Sequence, residues 1–245
     1  MNFLYLDVGN SRTKIAVFEE SHWKVIKVFD RRQKKELIQM IKDSNSIYDK
    51  ILVSCVVKSV KDELVEVCPN NKLFLFSNSD IPPNLISYES ASTMGVDRFI
   101  ASYGAWSLQG KSACIVVDAG TACTIDYMDA NGIYQGGVIM PGLKTLEDGL
   151  LLSAQALPPA ERFVPDEWPP KTTMTALQWG ILGSFLAAIE AHVWRFLDIN
   201  KKAGIWVTGG DASLIHPLLK LKTEINEKLV FQGLHSLYLR RNSSR

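Results

Sequence analysis

Cysteine, net charge and long apolar runs are all scarce in this 245-residue chain, and each scarcity removes a class of protein. The four cysteines lack CxxC spacing, so we expect reduced, buried thiols in a cytoplasmic protein and have no reason to propose zinc. A formal net charge of +1 provides no attraction for nucleic acid or for an acidic membrane surface, and we expect neither partner. No apolar run reaches the length of a membrane span, and Asp7 interrupts the first one, which argues against a secretory signal.

The remaining composition is that of a globular protein, with 47% apolar and 22% charged residues, enough for one large domain or two small ones. Runs of β-branched residues bounded by turn residues predict three opening strands, followed by alternating helices and strands. The same order starts again after Lys111. The predicted strands of the two opening sets are Phe3–Val8, Thr13–Phe18 and Trp23–Phe29, and then Ala113–Asp118, Cys123–Tyr127 and Ile133–Met140.

The second half contains the strongest predicted helix, Thr175–Leu197, in which apolar residues recur every four positions. A strand at Gly204–Val207 and a further helix follow. Near the end we expect a strand around Leu229–Phe231, a last helix and a solvated basic tail at Arg240–Arg245. We therefore predict an α/β fold of two domains, residues 1–110 and 111–245.

Two turns of the same kind, one in each half, carry the most informative motif. Asp7–Lys14 follows the first strand, and Asp118–Thr121 follows a strand that ends 111 positions later. Each has an acid, a glycine that lets the backbone approach a ligand, and hydroxyl donors suited to phosphate. Asp7 and Asp118 could share a Mg²⁺ ion, largely through water. Taken singly, each turn could equally be a hairpin whose acid accepts backbone hydrogen bonds, and the repetition favours a ligand site.

Two further motifs could carry chemistry. Gly95-Val96-Asp97-Arg98 places a carboxylate beside a guanidinium at a predicted helix start, where the acid could take the proton of an acceptor hydroxyl and the arginine could bind a carboxylate. The alternative is a helix cap paired with a surface arginine. Thr208-Gly209-Gly210 follows a buried strand and would leave room for a nucleoside, although a plain helix-entry turn explains it as well.

The combination resembles the type III pantothenate kinases, which catalyse the first step of coenzyme A synthesis. Their fold is the actin-like ATPase fold, two duplicated ribonuclease H-like domains around a nucleotide cleft, shared with acetate and sugar kinases and Hsp70. The stretches that carry the resemblance lie in the family's order: Asp7–Lys14, Tyr88 with Gly95–Arg98, Asp118–Asp126, Gly136–Gly142 and Thr208–Gly210.

The resemblance implies a role for each matching residue. Asp97 would be the general base, and Asp118 would bind a monovalent cation, K⁺ or NH₄⁺. The expected ATP-binding residues are Asp7, Val8, Gly9, Asn10, Ser11, Arg12, Thr13, Lys14 and Thr121. The expected pantothenate-binding residues are Tyr88, Gly95, Val96, Asp97, Arg98 and Thr173. The family also implies a homodimer formed with help from the long second-domain helix, and Gly180 and Gly183 fit that expectation.

The leading hypothesis is therefore the ATP- and Mg²⁺-dependent phosphorylation of pantothenate to 4′-phosphopantothenate. Because some relatives of the family are described as accessory transcription factors, a regulator that keeps the kinase fold is the first alternative. A neutral charge and the absence of a helix-turn-helix signature argue against direct DNA binding, and intact Asp7, Asp97 and Asp118 argue for retained chemistry. A kinase of the same fold acting on another small alcohol is the second alternative.

Overall fold

A computed structural model describes residues 1–243, and the chain forms two compact units. The first unit contains residues 1–112, 128–135 and 228–243, and the second contains residues 113–127 and 136–227. This division differs from the predicted domains, because the C-terminal helix packs in the first unit and so do the residues that connect two strands of the second half. The first domain is therefore discontinuous in sequence.

The first unit is built on a five-stranded sheet of order β3-β2-β1-β4-β5. β1 pairs antiparallel with β2 and parallel with β4, so three meandering strands are extended by two that follow helical crossovers. Its strands are β1 (Phe3–Val8), β2 (Arg12–Glu19), β3 (His22–Asp30), β4 (Lys50–Cys55) and β5 (Leu73–Phe76). Its helices are α1 (Lys34–Ser44), α2 (Lys58–Val67), α3 (Val96–Leu108) and, at the end of the chain, α8 (Leu229–Ser243).

Alternation along β1 sorts its side chains onto the two faces of this sheet. Leu4, Leu6 and Val8 are buried in a core cluster that also contains residues of α1 and α2. Tyr5 points the other way, where its hydroxyl lies 2.7 Å from Nδ1 of His235 on α8. Asp7 shares the parity of Tyr5, so the strand directs this acid toward the face that α8 covers.

The second unit repeats the same strand order, β8-β7-β6-β9-β10. β6 pairs parallel with β9, as β1 pairs with β4. The strands of this second sheet are β6 (Cys114–Ala119), β7 (Ala122–Met128), β8 (Tyr134–Pro141), β9 (Gly204–Thr208) and β10 (Glu224–Ile225). The helices of the second unit are α4 (Leu143–Ser153), α5 (Thr173–Gln178), α6 (Ser184–Ile199) and α7 (Ala212–Ile215). The predicted α/β fold of two repeated units is confirmed.

The long helix predicted at Thr175–Leu197 is helical throughout but not uniform. A π-helical turn at Trp179–Gly183 joins α5 to α6. Thr173–Ile199 meets the length and hydropathy expected of a membrane span, yet one of its faces is buried, and Phe185, Ile189 and Val193 lie in the core of the second unit. Such a helix is typical of a protein core as well as of a membrane.

The strand predicted around Leu229–Phe231 is wrong. These residues form the first turn of α8, and the last strand is the short β10. α8 approaches α3 at glycine contacts, since a Cβ on Gly104 would lie 2.2 Å from the Leu229 carbonyl oxygen and one on Gly233 would lie 1.9 Å from that of Ile100. Arg240–Ser243 continue the helix, and the last two residues of the predicted solvated tail lie outside the described chain.

Candidate active site

The first acid–glycine turn closes the hairpin of β1 and β2. Asp7 stands opposite Lys14 in the strand register, and the Gly9 N–H donates to the Arg12 carbonyl at 3.0 Å. Val8 and Thr13 are buried and fix the turn to the core, whereas residues 10–12 are exposed. The exposed stretch, Asn10-Ser11-Arg12, therefore offers amide, hydroxyl and guanidinium donors to a ligand.

Asp7 is an acid with a strongly raised pKa. The pKa of its carboxyl is raised from 3.8 to about 7, chiefly by burial and then by the negative charge of Asp97, while the positive charge of Lys14 opposes the rise. The effect of Asp97 shows that the two carboxylates sense each other's charge, although 90 residues separate them in sequence. A cation or a ligand donor placed beside them would relieve this repulsion.

Asp97 lies in the first turn of α3, where the helix dipole favours a negative charge. Its Oδ1 accepts a hydrogen bond from the Arg98 N–H at 3.0 Å. Gly95 precedes the helix, and a Cβ there would lie 2.7 Å from the same Oδ1. Gly95 therefore leaves space for the carboxylate, which gives this glycine a physical reason beyond a helix cap.

Arg98 and Tyr88 meet the same aromatic ring, that of Tyr134. The Arg98 guanidinium lies 6.0 Å from the ring centroid, and the Tyr88 ring packs edge-on at 6.0 Å. The Ser87 N–H also donates to the Tyr134 carbonyl at 2.8 Å. Arg98 is buried by these contacts, so Tyr134, which the sequence did not single out, supports two of the predicted substrate-binding residues.

In the second unit, the turn after β6 is fastened to the end of β8. The Gly120 N–H donates to the Ala122 carbonyl at 3.1 Å, and the Thr121 carbonyl accepts from the Gly142 N–H at 3.1 Å and from Thr145 Oγ1 at 2.8 Å. A Cβ on Gly142 would lie 2.0 Å from the Gly120 carbonyl oxygen. The absence of a side chain at Gly142, directly after β8, therefore allows its backbone to pack closely against the backbone of this turn.

The Thr208–Gly210 turn lies beside this one. Asp118 pairs with Thr208 in the parallel register of β6 and β9. Gly209 has a φ of +99°, and a Cβ there would lie 2.4 Å from the Ala119 carbonyl oxygen. The Asp211 N–H then donates to that same carbonyl at 3.0 Å. The second unit therefore brings Asp118 and the predicted nucleoside turn to one edge of its sheet.

Burial and the negative charges of three acids raise the pKa of a thiol, Cys123, at this edge of the sheet. The pKa of Cys123 is raised to about 12, chiefly by burial and also by the negative charges of Asp118, Asp126 and Asp211. The effect identifies a region of negative potential. No group of three or more histidine, cysteine or acidic side chains within residues 1–243 is arranged to hold a metal ion by itself.

Thr173 is exposed and is the first residue of α5. Thr172 precedes it as the helix cap, and its Oγ1 accepts from the Thr175 N–H at 3.1 Å. The structure thus collects Asp7, Lys14 and Asp97 in the first unit, with Arg98 and Tyr88 on a common ring. In the second unit it places Asp118 beside the Thr208 turn and leaves Thr121 and Thr173 exposed.

Sequence comparison identifies the relatives of this chain. Residues 3–195 match the family described as type III pantothenate kinase. A protein of that name from Bacillus cytotoxicus is 31% identical over 253 residues, covering 96% of this chain and 95% of the relative. Another, from Flavobacterium psychrophilum, is 30% identical over 236 residues, covering 96% and 98%.

Structural comparison supports the fold. A candidate Baf family transcriptional activator from Campylobacter jejuni superposes with a TM-score of 0.69 at 20% identity, covering 98% of this chain and 99% of the other. Lmo2764 of Listeria monocytogenes, a candidate N-acetylmannosamine kinase, superposes with a TM-score of 0.56 at 11% identity, covering 99% and 100%. At these identities the similarity concerns the fold alone, which is that of the sugar kinases and actin-like ATPases.

Proposed function

This chain belongs to the type III pantothenate kinase family, and from that premise we propose which of its residues carry the phosphorylation of pantothenate by ATP. The reaction gives 4′-phosphopantothenate and ADP, the first step of coenzyme A synthesis. The observation that carries the assignment is the pair formed by Asp97, at the start of α3, and Asp7, at the end of β1, whose charges interact.

Asp97 is the general base of the proposal. Its carboxylate takes the proton of the pantothenate hydroxyl as that oxygen forms a bond to the γ-phosphorus of ATP, and the bond from this phosphorus to the bridging oxygen breaks to release ADP. Gly95 supports this role because it leaves the carboxylate unobstructed on one side. The pantothenate-binding residues of the proposal are Tyr88, Val96, Arg98 and Thr173. Contacts with the Tyr134 ring hold Tyr88 and Arg98 in place.

Asp7–Lys14 bind the ATP phosphates, and Thr121 contacts the nucleotide. The exposure of Asn10-Ser11-Arg12 supports the first assignment, and the anchored backbone of Thr121 supports the second. Because phosphoryl transfer depends chiefly on positioning and on stabilising charge, donors fixed by a hairpin suit the reaction. Bound ions would supply neutralisation of the phosphate charge.

Two cations complete the proposal. Asp7 is the residue that would hold Mg²⁺, since a partly buried carboxyl near a second carboxylate gains from a divalent ion, which needs only one or two protein oxygens beside the phosphates. Asp118 would hold K⁺ or NH₄⁺. The negative potential around Cys123, to which Asp118 contributes, supports a monovalent cation at that edge.

We test the assignment with ADP release by the purified protein, supplied with ATP, Mg²⁺, K⁺ and pantothenate. Wild-type protein is expected to release ADP only when pantothenate is present, with 4′-phosphopantothenate identified by mass spectrometry. Asp97→Asn should lower kcat by about 10²–10⁴, the usual contribution of a general base. Asp62→Asn, an exposed acid on α2, is the matched control and should keep wild-type activity. Near-normal turnover of Asp97→Asn would remove Asp97 as the base.

Oligomeric state and location complete the proposed function. We propose a homodimer that uses the α5–α6 region, supported by exposed Trp194 and Ile199 on α6 and by the open space around Gly180. Gly183 has another role, because a Cβ there would lie 2.6 Å from the ring of Trp179 on the same helix. Multi-angle light scattering tests the dimer. The free thiols of all four cysteines support a cytoplasmic location.

A further inference from the structure

We propose that Arg162 is a positioning residue, which ties the loop leading to Thr173 to the Thr208–Gly210 turn after β9. The loop is residues 154–172, called here the α4–α5 loop. The inference rests on the proposed function, since it concerns how the second unit holds the segment that binds pantothenate. Arg162 touches neither substrate in this proposal and acts through the residues it holds.

Arg162 bridges two acids that come from different parts of the second unit. Its Nη2 and Nε atoms donate to Oε2 of Glu147 on α4, at 2.9 and 3.3 Å. Its Nη1 lies 3.6 Å from Oδ1 of Asp211. The side chains of Glu147 and Asp211 are 16% and 23% exposed and that of Arg162 is 36% exposed, so the bridge is partly screened by water and depends on its two-sided geometry.

Asp211 connects the bridge to the Thr208–Gly210 turn, which it directly follows. Its N–H donates to the Ala119 carbonyl at 3.0 Å, directly after Asp118 in β6. Gly209, two residues earlier, lies against the same Ala119 backbone. Arg162 is therefore connected, through one side chain and one backbone hydrogen bond, to the strand end that carries the proposed cation ligand.

Trp179, in the π-helical turn, fixes a second point of the loop at Glu167 and Trp168. Its indole N–H donates to the Glu167 carbonyl at 3.1 Å, and its ring packs edge-on against Trp168 at 5.1 Å. Gly183 provides the space that this ring occupies. Held at residues 162 and 167–168, the loop delivers the chain to the Thr172 cap and to Thr173 in a defined position.

A buried polar atom lies beneath the loop at Arg162. Oε1 of Gln178 has no hydrogen-bond partner in the described chain, and its side chain is 2% exposed. Gln178, Glu147 and Arg162 line a cavity of about 10 Å³, close to the smallest volume that accommodates a water molecule. Arg162 therefore covers part of this cavity in addition to bridging the two acids.

The experiment measures the separate KM values of ATP and pantothenate in Arg162→Gln. We expect the KM for pantothenate to rise about tenfold, equivalent to about 1.4 kcal/mol, because Thr173 is no longer held in one place. The KM for ATP should stay within about twofold, because the turn is also held by the Ala119 hydrogen bond. Arg162→Lys should recover part of the loss, since an ammonium can contact one acid but cannot form the two-sided bridge.

Two further variants make the test decisive. Asp211→Asn, which removes one arm of the bridge, should raise the pantothenate KM in the same direction, and combining it with Arg162→Gln should add little. Lys171→Gln breaks an exposed ion pair with Glu167 in the same loop and should change neither KM by more than about twofold. A melting temperature measured for each variant excludes misfolding as the cause.

Three outcomes are informative. A selective rise in the pantothenate KM with non-additive double-variant behaviour supports the positioning role. Unchanged KM values, or a lower melting temperature with equal effects on both substrates, overturn it and leave Arg162 as a structural residue. If the wild type releases no ADP with pantothenate, the proposed function fails instead, and the melting temperatures then report only the stability of the bridge.

Discussion

Replacing Asp7 with asparagine should make the protein more stable at alkaline pH while abolishing its activity. The carboxyl of Asp7 has its pKa raised from 3.8 to about 7, mainly by burial and then by Asp97. At pH 8 the folded protein must therefore keep a charge where charge is unfavourable. Asparagine has nearly the same shape and no charge, so it removes this cost.

The magnitude follows from the pKa difference. At 1.36 kcal/mol per pKa unit, the rise from 3.8 to about 7 corresponds to roughly 4 kcal/mol as an upper limit. Because Asp7 keeps partial contact with solvent, we expect about 2 kcal/mol, which for a chain of this size is about 4–8 °C in melting temperature.

The sign of the stability change caused by Asp7→Asn can be tested by its dependence on pH. Since the folded state holds the proton more tightly than the unfolded state does, the cost is near zero below pH 4, grows as pH rises, and is complete above pH 7. The gain from Asp7→Asn should therefore be smaller at pH 5 than at pH 8 and should disappear below pH 4. Differential scanning calorimetry without nucleotide or divalent cation measures it, with Asp62→Asn as the exposed control. An equal gain at both pH values, or a loss at pH 8, would refute the reasoning.

The remaining predictions concern other parts of the chain. Burial lowers the pKa of His235, so its contribution to stability is complete above about pH 6.5 and is lost as pH falls. His235→Gln should therefore make the melting temperature depend less on pH between pH 5.5 and 7.5. An unchanged dependence on pH would contradict this. Gly104→Ala should lower the free energy of unfolding, measured by urea denaturation, by about 2 kcal/mol or more, because a Cβ would lie 2.2 Å from a backbone oxygen. Gly149→Ala, at a position with open space around it, should raise this free energy by about 0.5–1 kcal/mol. Asp118→Asn should weaken the stimulation of ADP release by K⁺ relative to Na⁺, and intact stimulation would exclude this acid as the ligand.

Local patterns were sufficient for most of the fold. The predicted strand at Phe3–Val8 matches β1 residue for residue, and the helix predicted at Thr175–Leu197 lies within the helical segment from α5 to α6, because alternation and amphipathic spacing are properties of the chain itself. The Leu229–Phe231 segment misled because a short apolar run suits a buried strand and a buried helix equally. β10, with two residues, leaves no pattern to read.

The candidate site was less accessible to sequence reasoning. The doubled acid–glycine turn and Gly95–Arg98 are visible as motifs, and the reason for Gly95 appears only when its distance to Asp97 is known. Tyr134 gave no signal, since it is one apolar residue in a predicted strand and its partners, Tyr88 and Arg98, lie far away in sequence. Contacts of this kind depend on the tertiary fold, which periodicity does not encode.

The position of α8 has a consequence for how the protein is made. The ribosome completes β1–β5 and α3 long before it reaches Leu229. The surface of α3 and the side chain of Tyr5 that pack against α8 therefore stay uncovered until this last helix has been synthesised. The second unit, whose residues are continuous except for the 128–135 excursion, can fold in the meantime. A nascent chain lacking α8 is therefore expected to expose the bare α3 backbone at Gly104, and quality-control proteases should remove chains truncated before Leu229.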